Sequence, residues 1–247
     1  MNNARVQDFV SELLSDRADE EALVRLAREL AGQPNALEQI RENWPRCDYP
    51  IIAEYLCCKR LGHGSSGVVY KAIRFGRTPE WVALKVLRHS GDQDTVRFIE
   101  REIEILKALD CPNVARYLDA GQSAGSHYLA MELVEGIPLD EFVEANATTL
   151  ECKLRIFERV CDVVQAVHAQ GVVHRDLTPR HFLVDVHGQP RLVDFGLSTV
   201  QSDDWATRVR KTQTQLGRIM GTVKYMSPEQ TWGGMIPIDQ GSDIWAL

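Results

Sequence analysis

Residues 171–196 read GVVHRDLTPRHFLVDVHGQPRLVDFG. Two clusters of reactive side chains stand in this stretch. The first is His174-Arg175-Asp176-Leu177. The second, Asp194-Phe195-Gly196, has its carboxylate eighteen positions after Asp176. Two short apolar runs of strand type lie between them, Phe182 to Val184 and Leu192 to Val193. Either cluster alone could be an ordinary loop; in this order and at this separation, chance is a poor explanation. Gly171 closes a helix that opens at Thr148 to Glu151, whose spacing is that of a capping box. Leu154, Phe157, Val160, Val163, Val164 and Val167 cover much of that helix's circumference, which predicts a buried helix.

Upstream, the chain alternates in character. Tyr128 to Val134 is strand-like, Asp94 to Leu109 helical, and Val68-Val69-Tyr70 and Trp81 to Leu84 are β-type runs broken by Gly and Pro. Strands come mostly first and helices mostly second, which predicts an α+β fold with two lobes. Leu61-Gly62-His63-Gly64-Ser65-Ser66-Gly67-Val68 lets a turn bring backbone N–H groups close to phosphate oxygens. A dinucleotide turn would require a helix next, and a β-type run follows instead. Lys85 ends the apolar run Val82-Ala83-Leu84. On the helix downstream, Phe98, Ile99, Ile103, Ile105, Leu106 and Leu109 form one broad arc in which Glu102 is the only charge. A buried carboxylate needs a partner, and the reading offered here is Lys85, which would in turn hold phosphate.

Residues 1–46 carry three amphipathic helical stripes and no catalytic motif. These are Val6, Phe9, Val10, Leu13 and Leu14; Leu23, Leu26, Ala27 and Leu30, stopped by Gly32; and Leu37, Ile40 and Trp44, ended by Pro45. Their apolar faces must pack on each other, on the next domain or on a partner. Bulk properties exclude other classes. The net charge of −7 offers no global basic field for nucleic acid or anionic lipid. No run of 18 apolar residues exists to span a membrane, and residues 1–5 lack a signal-peptide core. None of the six cysteines forms a C-x-x-C pair, so reduced thiols in a cytoplasmic protein are expected rather than zinc or disulfides.

The glycine loop, Val82-Ala83-Leu84-Lys85, His174-Arg175-Asp176-Leu177, Asp194-Phe195-Gly196 and the stretch Gly221-Thr222 through Ser227-Pro228-Glu229 occur in one order. Together they resemble the eukaryotic-like (Hanks-type) serine/threonine protein kinase family, from about Tyr55 to Leu247, with a bacterial flavour in Met226-Ser227-Pro228-Glu229-Gln230. The resemblance implies a kinase-like fold. Its parts would be a helical extension over residues 1–50, a β-rich N-lobe over 51–134 and a partial helical C-lobe over 135–247. It implies ATP with Mg²⁺, or Mn²⁺, as cofactors and protein substrates phosphorylated on Ser or Thr. Gly62, Gly64 and Gly67 would cover the phosphates, and Lys85, paired with Glu102, would contact them. Leu61, Val69, Ala83, the gatekeeper Met131 and the hinge from Glu132 to Val134 would enclose adenine. Asp176 would accept the substrate hydroxyl proton and Asp194 would bind metal. Thr212 and Thr214, in the segment between Asp194 and Glu229, would be candidates for regulatory phosphate that Arg175 could pair with.

Two positions depart from the family pattern. Thr178 stands among the catalytic positions where Lys is expected, and His181 stands where a metal-binding Asn is expected. Neutral imidazole is a poor ligand for Mg²⁺. Three outcomes are open. His181 ligates Mn²⁺, or turns away and leaves Asp194 alone, or sits protonated beside phosphate. These changes keep a second reading alive, a pseudokinase scaffold that binds nucleotide and partners without efficient transfer. The family also continues with more helices beyond Gly241-Ser242-Asp243-Ile244-Trp245, so bare apolar surface is expected on the C-lobe.

Overall fold

The computed structural model describes residues 2–13, 15, 19–31, 33, 35–43, 49–64, 67–87, 103–146, 149–195, 224–231 and 238–247. Contacts divide the chain into two compact units, Met1–Gly91 with Tyr117–Leu133, and Asp92–Arg116 with Val134–Leu247. Glu102, Gly196, Thr212, Thr214, Thr222 and Trp44, named above, lie outside the described residues.

The first unit begins with α1 (Asn2–Leu13), α2 (Glu20–Ala31) and α3 (Ala36–Asn43). Asp19 opens α2 by accepting the N–H groups of Glu21 and Ala22 at 3.0 and 3.3 Å, which satisfies donors the helix cannot. Six antiparallel strands follow: β1 (Ile51–Ile52), β2 (Tyr55–His63), β3 (Gly67–Arg74), β4 (Glu80–Leu87), β5 (Tyr117–Ser123) and β6 (Ser126–Glu132), in sheet order β1-β2-β3-β4-β6-β5. Side chains alternate between its faces. Tyr55, Cys57, Ala72, Val82, Leu84, Tyr128 and Ala130 build one core cluster. Leu56, Ile73 and Phe75, with half-buried Trp81, belong to the other, and that cluster contains Val6, Phe9, Leu23, Ala27, Leu30 and Ile40 of the helices. The three apolar stripes therefore pack on each other and on the sheet. Arg41 adds a bond to the Ala53 carbonyl at 2.8 Å.

The second unit holds helix α4, described over residues 103–108. Strand β7 (Ile137–Pro138), α5 (Leu139–Asn146), α6 (Leu150–Ala169) and a 3₁₀ turn at Pro179–His181 follow. Then come β8 (Phe182–Val184), β9 (Pro190–Leu192), α7 (Pro228–Thr231) and α8 (Gln240–Ala246). A small antiparallel sheet runs β7-β8-β9. Two details of α6 differ from the sequence reading. Its N-cap is Thr149, whose hydroxyl accepts the Cys152 N–H at 3.2 Å, one residue past the expected Thr148. The helix is also not buried all round. Ile156, Val160, Val163, Val164 and Val167 form the buried stripe, whereas Leu154 is 57% and Phe157 45% exposed. Ile244 and Trp245 of α8 are exposed as well.

Candidate active site

In the first unit, β2 and β3 meet at the glycine loop, with His63 paired to Val68 and Gly64 N–H bonded to Gly67 O at 2.9 Å. The three glycines serve different ends. A Cβ on Gly67 would lie 2.2 Å from the Val86 carbonyl of the neighbouring strand, so glycine here is a packing requirement. A Cβ on Gly62 or Gly64 would meet nothing within 4 Å among the described residues, so packing against these does not require glycine there. Lys85 lies on β4 opposite Val69 on one side and Leu129 on the other, and is 1% exposed. A buried ammonium is costly without an anionic or polar partner. Ala83 lies two residues before Lys85 on the same face and pairs with Met131. Leu61 is exposed, Glu132 ends β6, and Val134 is buried where the second unit resumes.

In the second unit, residues 172–178 form an irregular loop after α6. Gln170 caps the helix, and Gly171 takes φ 76°, the left-handed turn that ends helices cheaply only at glycine. Arg175 also sits at positive φ, 67°, which is uncommon without glycine. Bonds on both sides hold it there. Its N–H donates to Asp243 Oδ1 at 2.6 Å, and its carbonyl accepts from the Gln230 side-chain amide. Asp243 is fully buried and also accepts the His174 N–H and the His168 ring Nε2–H, each at 2.8 Å.

His174 links the two clusters of the opening stretch. Its Nδ1 accepts the Asp176 N–H at 3.3 Å, and its Nε2 donates to the Asp194 carbonyl. One nitrogen accepts and the other donates, so the ring is neutral. Burial pushes its pKa down to about 4, and the nearby His181 ring adds to the effect. Phe195 packs on the ring at 5.0 Å between centroids. Asp176 and Asp194 thus share one backbone frame. Thr178, half-buried, precedes the 3₁₀ turn without capping it through its side chain. The imidazole of His181 donates from Nδ1 to the Asp176 carbonyl at 2.6 Å. A small cavity beside Asp176 is lined by Leu177, Tyr225, Met226, Gln230 and Ala246. Sequence reasoning missed the tying roles of Asp243 and Gln230, because nothing in their local pattern marks a buried carboxylate or amide 55 to 75 residues from its partners.

The family described as "Protein kinase domain" matches residues 55–247. The chain belongs to the protein kinase family. Within that family, it is 33% identical over 200 residues to serine/threonine-protein kinase PrkC of Bacillus subtilis, a match covering 80% of this chain and 29% of that protein. It is 36% identical over 202 residues to the DNA damage-responsive serine/threonine-protein kinase RqkA of Deinococcus radiodurans, again 80% of this chain and 29% of that protein. It spans 47% of PknA of Mycobacterium tuberculosis at 33% identity. The chain therefore covers less than half the length of each of these relatives. The crystal structure of the Mycobacterium tuberculosis PknI kinase domain matches with a TM-score of 0.58 at 25% identity, covering 80% of this chain and 72% of that one. The kinase-like α+β fold and the similarity to bacterial Hanks-type kinases expected from the motifs are both found.

Proposed function

We propose that this kinase-family chain transfers the γ-phosphoryl of ATP to Ser or Thr of protein substrates. The observation that carries the reading is the neutral His174 ring, which bonds the backbones of Asp176 and Asp194 at once and so sets two carboxylates in a fixed relation. In this reading Asp176 takes the proton of the substrate hydroxyl as its oxygen attacks the γ-phosphorus. The bond to the β–γ bridging oxygen breaks, and ADP leaves with its electron pair. Thr178 flanks Asp176 without supplying a charge. The backbone around Gly62, Gly64 and Gly67 cradles phosphate, and Lys85, partnered by Glu102, neutralises it. Leu61, Val69, Ala83, Met131 and Glu132 to Val134 hold the adenine. A divalent cation, Mg²⁺ in the family, is held at Asp194, where a hard carboxylate oxygen suits it; when bound it offsets the charge of the phosphates.

Incubation with γ-labelled ATP and Mg²⁺ or Mn²⁺ tests the reading by label on the protein or on an added Ser/Thr protein. Asp176→Asn should keep nucleotide binding and lose transfer by at least about 100-fold, the range of general-base contributions. Nucleotide binding with no transfer under either metal would leave the scaffold reading in its place.

A further inference from the structure

The held ring of His181 separates the three outcomes left open by the sequence, and the inference from it rests on the kinase reading above. The backbone of His181 is fixed twice. Its N–H bonds to the Thr178 carbonyl at 3.0 Å, and its own carbonyl accepts the Val193 N–H at 2.9 Å. It therefore stands at the end of the β8–β9 ribbon, just beyond the Phe182–Leu192 pair, with Asp194 following Val193 on the facing strand. The ring is fixed as well. Nδ1 lies 2.6 Å from the Asp176 carbonyl, which can only accept, so Nδ1 carries the proton. In the neutral ring the lone pair then belongs to Nε2. Nε2 has no hydrogen-bond partner among the described residues. The neighbouring ring of His174, 5.8 Å away, offers no free lone pair, because both its nitrogens are engaged. A histidine whose far nitrogen donates to a backbone carbonyl is oriented and made more basic as a metal ligand.

We propose that His181 Nε2 joins the Asp194 carboxylate in binding the divalent cation that accompanies the nucleotide, and that this nitrogen shifts the site from Mg²⁺ toward Mn²⁺. Mg²⁺ demands oxygen in near-ideal octahedral geometry, whereas imidazole affinity rises along the transition series from Mn²⁺ onward. Two protein ligands leave room for phosphate oxygens and water.

The test is pulsed electron paramagnetic resonance on the full chain with Mn²⁺ and ADP, read for nitrogen hyperfine coupling. Protein grown with ¹⁵N-histidine separates histidine from the adenine nitrogens without any substitution. The expected result is a histidine coupling in wild type that disappears in His181→Asn. That variant's preference for Mn²⁺ over Mg²⁺ in nucleotide-binding titrations should also fall by about tenfold or more, the scale of ligand-sphere changes. Mn²⁺–ADP binding without histidine coupling overturns the proposal and leaves the nucleotide reading standing. Coupling that persists in His181→Asn overturns it too, by pointing to another histidine. No binding of Mn²⁺–ADP at all overturns both.

Discussion

Asp243 is fully buried and has three donors pointing at it, from His174, Arg175 and His168. Its carboxylate is what allows Arg175 to remain at φ 67°. Asp243→Ala strands two backbone N–H groups and a ring N–H in a dry interior, and the expected loss is about 3–5 kcal/mol. Urea unfolding measures it; a loss under about 1 kcal/mol would mean that the bonds are replaced by water. The glycine loop divides at the same scale. Gly67→Ala must push against the Val86 backbone and should lower stability. Gly62→Ala and Gly64→Ala should leave the melting temperature unchanged while weakening nucleotide binding, since no described residue crowds those positions and a phosphate approaching the backbone would. Equal effects of all three on stability would remove the phosphate argument. The sequence shows the three glycines but not this division, because the Val86 carbonyl that excludes a side chain belongs to another strand.

Among the elements, the β5–β6 hairpin makes its own prediction. The turn residues Ala124 and Gly125 both take positive φ, which matches the twist of a tight hairpin. The Tyr128 ring lies where a Cβ on Gly121 would be, and Tyr55 and Tyr128 both donate to Asp119, at 3.0 and 3.4 Å. Burial, then the negative charge of Asp119, pushes Tyr128 up to about 12; burial and the Asp119 bond raise Tyr55 further. Their folded pKa values exceed the unfolded value of 10. Their contribution to stability is therefore complete below pH 10 and is lost as pH rises through about 12. Absorbance titration of phenolate should show these two groups ionising late and together with unfolding, and Asp119→Asn should bring both down. If every tyrosine titrates near 10 in folded protein, the arrangement is wrong. Strand β5 was illegible in the sequence for a related reason: Asp119, Gly121 and Gln122 are poor strand formers, and their places are set by Tyr55 and Tyr128. Helix α6 was legible from its period, but adjacent threonines hid which one caps it. An apolar circumference could not show that Leu154 and Phe157 stay exposed.

At the scale of the whole molecule, the chemistry-bearing order of motifs was legible because each is local, and the family match confirms the fold they imply. The destination of the three N-terminal stripes was not legible, since amphipathic helices announce a face and not what it meets. Register now answers that. Ile73 pairs with Trp81, Lys71 with Ala83 and Val69 with Lys85, so these six share one face of the sheet. Helices α1 to α3 pack against the Ile73–Trp81 end of that face, and the proposed nucleotide contacts Val69, Ala83 and Lys85 occupy its other end. Two kinds of contact hold the helices there. Glu20 pairs with Lys71, whose ammonium also lies 4.8 Å over the Trp81 ring. Phe9, fully buried, meets Phe75 edge-on at 6.4 Å. Magnitudes decide between them. A partly exposed ion pair contributes at most about 1 kcal/mol, while truncating a buried Phe costs about 3–5 kcal/mol. Phe9→Ala should therefore lower stability severalfold more than Glu20→Gln, and a chain beginning at Tyr49 should melt lower than either. Because the helices and the proposed adenine contacts share one face, that shortened chain should also bind ATP more weakly, and ATP should raise its melting temperature less. Scanning calorimetry with and without nucleotide reads both effects. A shortened chain that melts and binds ATP like the full one would show that the helices are a passive attachment.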